Sequence, residues 1–125
     1  MKAVFCVVIA LCAPILASAD VIKCTFHEPS LSLQYAFGGQ MLTITHLDEG
    51  RDSQISKVSI QIMGPGQFEL WDEQHKVLLR LSLNYKGRDG RSSTSYPYTA
   101  DLPGYGAEGR NLRGGCTSNF QKSMQ

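Results

Sequence analysis

An alternation of apolar and polar residues with a period of two runs through most of the chain after residue 20. It is clearest between Val77 and Tyr85, where apolar residues at every second position alternate with Arg80, Ser82 and Asn84. A period of two places successive side chains on opposite faces of a β-strand, whereas an amphipathic helix repeats every 3.6 residues. No segment of this part shows a convincing helical period. The chain is therefore predicted to be all-β.

Short alternating segments recur at regular spacing and are separated by turns rich in Gly, Pro and Asp. This spacing is typical of an antiparallel barrel or sandwich, and closure into a barrel removes exposed strand edges. We predict a small antiparallel β-barrel of seven or eight strands, with 77–85 as the central strand. Gly38 and Gly39 are expected to form a two-residue hairpin turn, and 48–53 a polar turn. The predicted strands are 21–26, 31–37, 40–46, 58–62, 68–70, 77–85, 96–102 and 112–116.

Residues 1–19 have the layout of a secretory signal peptide. Lys2 precedes an apolar run from Val4 to Leu16, and Ala17-Ser18-Ala19 offers small residues for cleavage. Pro14 interrupts the run, which is shorter than the roughly 20 apolar residues needed to span a bilayer. The sequence predicts a cleaved signal, a single domain at 20–125, no membrane span, and a periplasmic or secreted location.

Loss of the signal balances the charge of the remaining chain. The twelve basic residues fall to eleven with Lys2 removed and match the eleven acidic residues. Nucleic-acid binding draws on a surplus of basic charge. The composition therefore argues against a nucleic-acid partner, although a local basic patch stays open.

Two cysteines, Cys24 and Cys116, remain near the ends of the predicted domain. A lone pair in an exported chain most simply forms a disulfide. This bond would tie the first strand to the last and close a loop of about 93 residues, worth roughly 4 to 5 kcal/mol in the chain-entropy model. A redox or metal pair is the alternative, but neither cysteine has another ligand at the expected spacing.

Catalytic and metal-binding patterns are weak. His27, His46 and His75 are spread over separate segments, without the close spacing of local zinc sites. The acidic turn around Asp48 and Asp52 does not match the EF-hand pattern, and there is no G-x-S-x-G motif or Gly-rich phosphate loop. We expect a non-enzymatic protein with no metal and no cofactor.

The segment from Lys86 to Tyr98 is the most promising site. Its arginines offer bidentate donors to carboxylates, its serines offer small hydroxyls, and its tyrosines offer flat amphipathic surface. It fits a loop that contacts a protein or glycan partner. The same residues also fit a plain turn at Asp89-Gly90 with Tyr96 and Tyr98 buried, and both interpretations stay open. The predicted partner-binding residues are Arg88, Asp89, Arg91, Ser92, Ser93, Tyr96 and Tyr98.

Three short motifs resemble a group of small exported bacterial β-domains without a settled function. They are Cys24-x-Phe26-x-Glu28-Pro29, then Asp89-Gly90-x-Ser92-Ser93-x-x-Tyr96-Pro97-Tyr98-x-Ala100, and Gly115-Cys116. Members of that group usually carry Met after the Asp-Gly pair, where this chain has Arg91. The departure changes the charge at the tip of the loop.

More loosely, the plan resembles the periplasmic inhibitors of c-type lysozyme, which combine a signal, an antiparallel barrel, a cysteine clamp and a loop rich in Ser, Gly and Tyr. The resemblance implies that loop side chains enter the hydrolase cleft and meet its catalytic carboxylates. Ser92, Ser93, Tyr96 and Arg91 are the positions that match these roles. It is an analogy of architecture and composition.

Two other functions stay open at this point. One is a carrier that holds a small apolar ligand in a barrel interior lined by Leu33, Tyr35, Leu79 and Leu81. The other is a structural component of the cell envelope. The sequence leaves the oligomeric state open.

Overall fold

The computed structural model describes residues 20–90 and 92–119, so the predicted signal at 1–19 and Arg91 lie outside the described residues. Within that part the chain is all-β, as predicted, with nine strands and one three-residue 3₁₀ turn at Ala107–Gly109. No helix among these residues is long and apolar enough to cross a membrane. The strands are β1 (Val21–Phe26), β2 (Leu31–Ala36), β3 (Met41–His46), β4 (Arg51–Ile55), β5 (Ser59–Gly64), β6 (Gln67–Trp71), β7 (Val77–Gly87), β8 (Tyr96–Leu102) and β9 (Leu112–Ser118).

All nine strands form one antiparallel sheet in the order β4-β3-β2-β1-β9-β8-β7-β6-β5. The sheet curls into a half-barrel that stays open, with β4 and β5 as its two edges. The prediction of a closed barrel of seven or eight strands is therefore wrong in closure and in strand number. The predicted central strand, β7, lies third from the β5 edge, and β9 occupies the middle of the sheet.

The extra strand is β4, which falls partly within the predicted polar turn. Arg51, Asp52 and Gln54 are exposed and give the segment no apolar alternation. A strand at a sheet edge that buries little needs no such pattern, and charged residues discourage a second chain from pairing there. The segment could therefore not be predicted from hydrophobic periodicity.

The predicted disulfide is confirmed. Cys24 on β1 and Cys116 on β9 lie directly opposite each other and are bonded across the strand pair. The bond joins the first and last strands at the middle of the sheet. Disulfides persist in oxidising compartments, which indicates a non-cytoplasmic location.

The core lies on the concave side of the half-barrel, where alternate residues of most strands meet. Leu42, Leu70 and Leu79 are completely buried. Burial of a side chain of this size contributes about 1.5 to 3 kcal/mol. The buried cluster comprises Ile22, Cys24, Phe26, Leu31, Leu33, Tyr35, Leu42, Ile44, Val58, Phe68, Leu70, Leu79, Leu81, Tyr98, Ala100, Leu102, Leu112 and Cys116.

A three-residue link, residues 56–58, connects the two edge strands. Val58 is completely buried, and its N–H donates a 2.9 Å hydrogen bond to the Gln40 carbonyl. The Tyr35 hydroxyl donates a 2.6 Å hydrogen bond to the Val58 carbonyl. Because both backbone groups of Val58 are bonded to the β2–β3 region, this link ties the two sheet edges to the body of the half-barrel.

The β2–β3 turn differs from its predicted form. It spans four residues, since Ala36 pairs with Met41, and not the two residues Gly38-Gly39. The left-handed backbone conformation falls on Gln40, with φ of 52°. Gln40 is also the residue whose carbonyl accepts from Val58, so this turn holds the link between the edges.

Candidate functional site

The loop at residues 88–95, between β7 and β8, folds back over the outer face of the sheet. Gly115 lies on this face. Its neighbours Gly114 and Cys116 face the core, and successive residues of a strand face opposite sides of the sheet. A Cβ added to Gly115 would lie 2.6 Å from Cδ1 of the Tyr96 ring. The Tyr96 side chain therefore packs against Gly115 on β9, in the space that a larger residue would fill.

The Tyr96 hydroxyl anchors the loop to a neighbouring strand. The Thr25 hydroxyl on β1 donates to it at 3.4 Å, and it donates in turn to Oδ2 of Asp89 at 3.1 Å. A Cβ added to Gly90 would lie 3.3 Å from Cβ of His27, just after β1. These contacts place the start of the loop over β9 and β1.

Asp89 organises the loop from within. Its Oδ1 accepts a 2.9 Å hydrogen bond from the Ser92 N–H, and the Ser92 hydroxyl also contacts both carboxylate oxygens at 3.2 to 3.3 Å. The Ser92 hydroxyl accepts from the Thr94 N–H at 3.3 Å, and Arg88 Nη1 donates to the Ser93 carbonyl at 2.9 Å. The loop thus satisfies much of its own hydrogen bonding. A loop that is ordered before binding loses less entropy on meeting a partner.

The predicted site residues divide into groups with different roles. Asp89, Ser92 and Tyr96 hold the loop together, as their hydrogen bonds show. Ser93 is exposed, together with the neighbouring positions Thr94 and Ser95. Among the described residues no hydrogen bond engages the Ser93 and Ser95 hydroxyls. These two groups are open to an incoming acceptor or donor.

Tyr98 lies in the core, only 2% exposed, with its ring edge-to-face with Phe68 at 6.1 Å between centroids. Burial raises the pKa of its hydroxyl above 10.0, and the charge of Tyr85 raises that pKa further. A partner on the outer face does not reach this ring. Tyr98 is therefore buried, as the interpretation of a plain turn expects, whereas Tyr96 is only half-buried.

A bulge of three residues in β7 precedes the loop. Leu83 pairs with Tyr98 and Gly87 with Tyr96, so three residues of β7 face only Pro97 on β8. Proline has no N–H to give to the ladder, which makes it suited to this position. Tyr85, in the bulge, has φ of 59° and is 58% exposed. Such bulges change the direction of a strand and re-aim its side chains.

A cleft of about 440 Å³ lies on the outer face beside the loop. Its residues come from β7, β8, β9 and the start of the loop, so only strand pairing brings them together. Lys86 and Arg88 belong to the segment that the sequence predicts as a site, but the other lining residues do not, because alternating polar residues on separate strands give no local motif. The residues that line the cleft are Ser82, Asn84, Lys86, Arg88, Thr99 and Arg113, with the carboxylate of Asp101.

Two residues that line the cleft, Asp101 and Arg113, belong to a row of four charged residues of alternating sign that pair across β6, β7, β8 and β9. Glu69 faces Arg80, Arg80 faces Asp101, and Asp101 faces Arg113. Arg80 Nε donates to Glu69 at 3.1 Å and Arg113 Nε to Asp101 at 3.2 Å. Opposite charges across strands favour this register, although exposed pairs of this kind contribute little stability each.

Two of the histidines lie beside aromatic rings. His75 lies 5.7 Å from Trp71 and His46 lies 6.5 Å from Tyr105, measured between ring centroids. In the part of the chain that the structure describes, no three His, Cys, Asp or Glu side chains are grouped so that they could hold a metal ion.

The geometry defines a disulfide-linked antiparallel half-barrel with a pre-formed polar loop folded over its outer face. Comparison with protein-family models, with curated proteins and with solved structures finds no match for this chain. The resemblances to small exported bacterial domains and to lysozyme inhibitors therefore stay predictions.

Proposed function

We propose that this chain is a periplasmic or secreted, non-enzymatic binding protein that meets a partner protein through the loop at 86–98. The observation that carries the proposal is that some residues of this loop fix its shape while others are exposed. Asp89, Ser92 and Tyr96 hold its shape, while the hydroxyls of Ser93 and Ser95 are exposed. A rigid support under exposed donors is what a recognition loop requires.

The most concrete partner is a lysozyme-like glycan hydrolase. Its catalytic carboxylates accept hydrogen bonds, and hydroxyl and guanidinium groups donate them. Among the described residues of the loop, Ser93 and Arg88 supply these groups. Arg91, which is not among the described residues, is a third donor in the sequence of the loop. A loop that places such donors in the active-site cleft of the hydrolase blocks both substrate access and the catalytic carboxylates.

The carrier alternative has no observation in its favour among the described residues. Leu33, Tyr35, Leu79 and Leu81 pack within the buried cluster, each at most 2% exposed. These side chains pack against one another and fill the concave side, where the carrier hypothesis places the ligand.

An inhibition assay tests the proposal. The disulfide-bonded protein is titrated against a c-type lysozyme acting on peptidoglycan, beside the Ser93→Ala and Asp89→Ala variants. We expect inhibition by the unmodified protein and a loss of at least tenfold in each variant, about 1.4 kcal/mol. Ser93→Ala removes a direct contact, and Asp89→Ala loosens the loop that presents it.

The matched control is Ser56→Ala, which removes an exposed serine from the link between the edge strands. We expect it to inhibit as the unmodified protein does. Equal inhibition by all variants, or a melting temperature that falls in step with the loss of inhibition for Ser93→Ala, would contradict a contact through the loop. Absence of inhibition would exclude this hydrolase as the partner.

A further inference from the structure

The cleft beside the loop is cationic although the chain has almost no net charge. Lys86, Arg88 and Arg113 line it, against the single carboxylate of Asp101. Asp101 is already paired with Arg113 and lies opposite Arg80. Its negative charge is therefore neutralised locally, which leaves the charge of Lys86 and Arg88 facing the cleft.

The hydrogen bonds within the cleft leave it rich in donors. Asn84 Oδ1 accepts from both the Lys86 N–H at 2.9 Å and the Thr99 hydroxyl at 3.0 Å. Both bonds use the acceptor end of the Asn84 amide, so its NH₂ group is left to donate. Among the described residues no hydrogen bond or ion pair engages the Lys86 ammonium, and Arg88 uses only Nη1, on the Ser93 carbonyl. The remaining groups suit a ligand that carries acceptors and negative charge.

The lining also restricts the class of ligand. All seven residues that line the cleft are polar or charged, and none is aromatic. Interfaces between proteins have an apolar core, and single-stranded nucleic acids stack their bases on aromatic rings. A glycan with acidic groups instead combines hydroxyls, which match Ser82, Asn84 and Thr99, with anions, which match Lys86 and Arg88.

We infer that this cleft binds an anionic oligosaccharide, with its acidic group between Lys86 and Arg88 and its hydroxyls against Ser82, Asn84 and Thr99. The volume of about 440 Å³ lies within the range of roughly 300 to 1,000 Å³ found for small-molecule sites. Because the site is open and its affinity rests on exposed charges, binding weakens as salt rises. The cleft shares Arg88 with the loop contact proposed above, but Ser93 does not line it.

NMR titration of the disulfide-bonded protein tests this site. The probes are tetragalacturonate, a sulfated tetrasaccharide, neutral maltotetraose and inorganic phosphate, each at low and at physiological salt. We expect at least one anionic oligosaccharide to shift the amide signals of residues 82–88 and 99–101, with affinity at least tenfold above that for maltotetraose and phosphate. The carboxylated and sulfated probes then show which acidic group is preferred.

Lys86→Gln is the test variant and Arg110→Gln the matched control. Arg110 is exposed, with its guanidinium 3.6 Å from Glu108 on a separate loop. We expect Lys86→Gln to weaken binding of the anionic oligosaccharide at least fivefold and Arg110→Gln to leave that binding unchanged. Equal binding of the neutral and anionic probes, phosphate binding as tight as that of the oligosaccharides, no binding, or an unchanged affinity in Lys86→Gln would each overturn the inference.

Discussion

The Tyr35 hydroxyl on β2 donates a 2.6 Å hydrogen bond to the carbonyl of Val58, in the link between the two edge strands. Tyr35 is 1% exposed and Val58 is completely buried. This bond therefore lies out of reach of water and connects residues 23 positions apart. It is a side-chain bond between β2 and the link that joins the two sheet edges.

Tyr35→Phe is predicted to destabilise the fold. It removes the donor and leaves a buried carbonyl without that partner, which costs about 1 to 3 kcal/mol. Urea unfolding followed by fluorescence measures the change. Tyr105→Phe, at a tyrosine that is 36% exposed, is the control and should be close to neutral. Equal midpoints for the two variants would show that the Tyr35 bond does not stabilise the fold.

Stability is predicted to fall above about pH 10, the ordinary pKa of tyrosine. Burial raises the pKa of Tyr35 and of Tyr98 above 10.0 in the folded chain. Between the unfolded and folded values the folded state binds more protons, so the free energy of unfolding falls as pH rises. This contribution is fully present below pH 10 and is lost as pH rises through the folded values.

Urea unfolding between pH 8 and pH 11.5 measures this dependence. We expect a decline that begins near pH 10 and is shallower in Tyr35→Phe, because one of the two buried hydroxyls is removed. A slope equal in the two proteins would show that Tyr35 does not ionise at a raised pKa.

Replacing both cysteines with serine is predicted to lower the free energy of unfolding by about 4 to 5 kcal/mol, because the disulfide spans 92 positions. The unmodified protein should show the same loss on addition of a reductant. Thermal unfolding with and without reductant measures both. A double-serine variant with unchanged stability would mean that pairing of β1 with β9 alone holds the two ends of the chain.

Gly115→Ala is predicted to dislodge the loop. The new Cβ would lie 2.6 Å from Tyr96 Cδ1 and 3.0 Å from Tyr96 Cβ, so the ring must move away from Thr25 and Asp89. Overpacking of this kind costs about 1 to 3 kcal/mol. Gly39→Ala is the control, since nothing lies within 4 Å of its added Cβ. Amide exchange at residues 92–95 should quicken only in Gly115→Ala; unchanged exchange would show that the ring does not anchor the loop.

The fold was predictable wherever burial imposes alternation. Strands such as β1, which buries Ile22, Cys24 and Phe26 on one side, carry their pattern in the sequence. β4 does not, because it is an exposed edge strand. Closure was predicted from the general cost of exposed edges, but the sheet leaves the edges at β4 and β5 open and joins them through residues 56–58.

The candidate site was predictable only in part. The composition of 86–98 indicates a loop, but its direction depends on the long-range contact of Tyr96 with Gly115 and Thr25. The cleft could not be predicted, since Arg113 and Lys86 are brought together by strand pairing alone. Asp89 is predicted from the sequence as a partner contact. The structure adds that its carboxylate organises the loop, which the local sequence alone does not distinguish from a partner contact.

The most direct test of the account is hydrogen exchange of the disulfide-bonded protein, measured alone and with a c-type lysozyme in excess. If the complex forms through the loop, exchange slows at residues 92–95. Exchange stays unchanged at β5, the edge strand that lies five strands away from β1 in the sheet. Protection at the β5 edge with none at 92–95, or no protection anywhere, would contradict a partner contact through this loop.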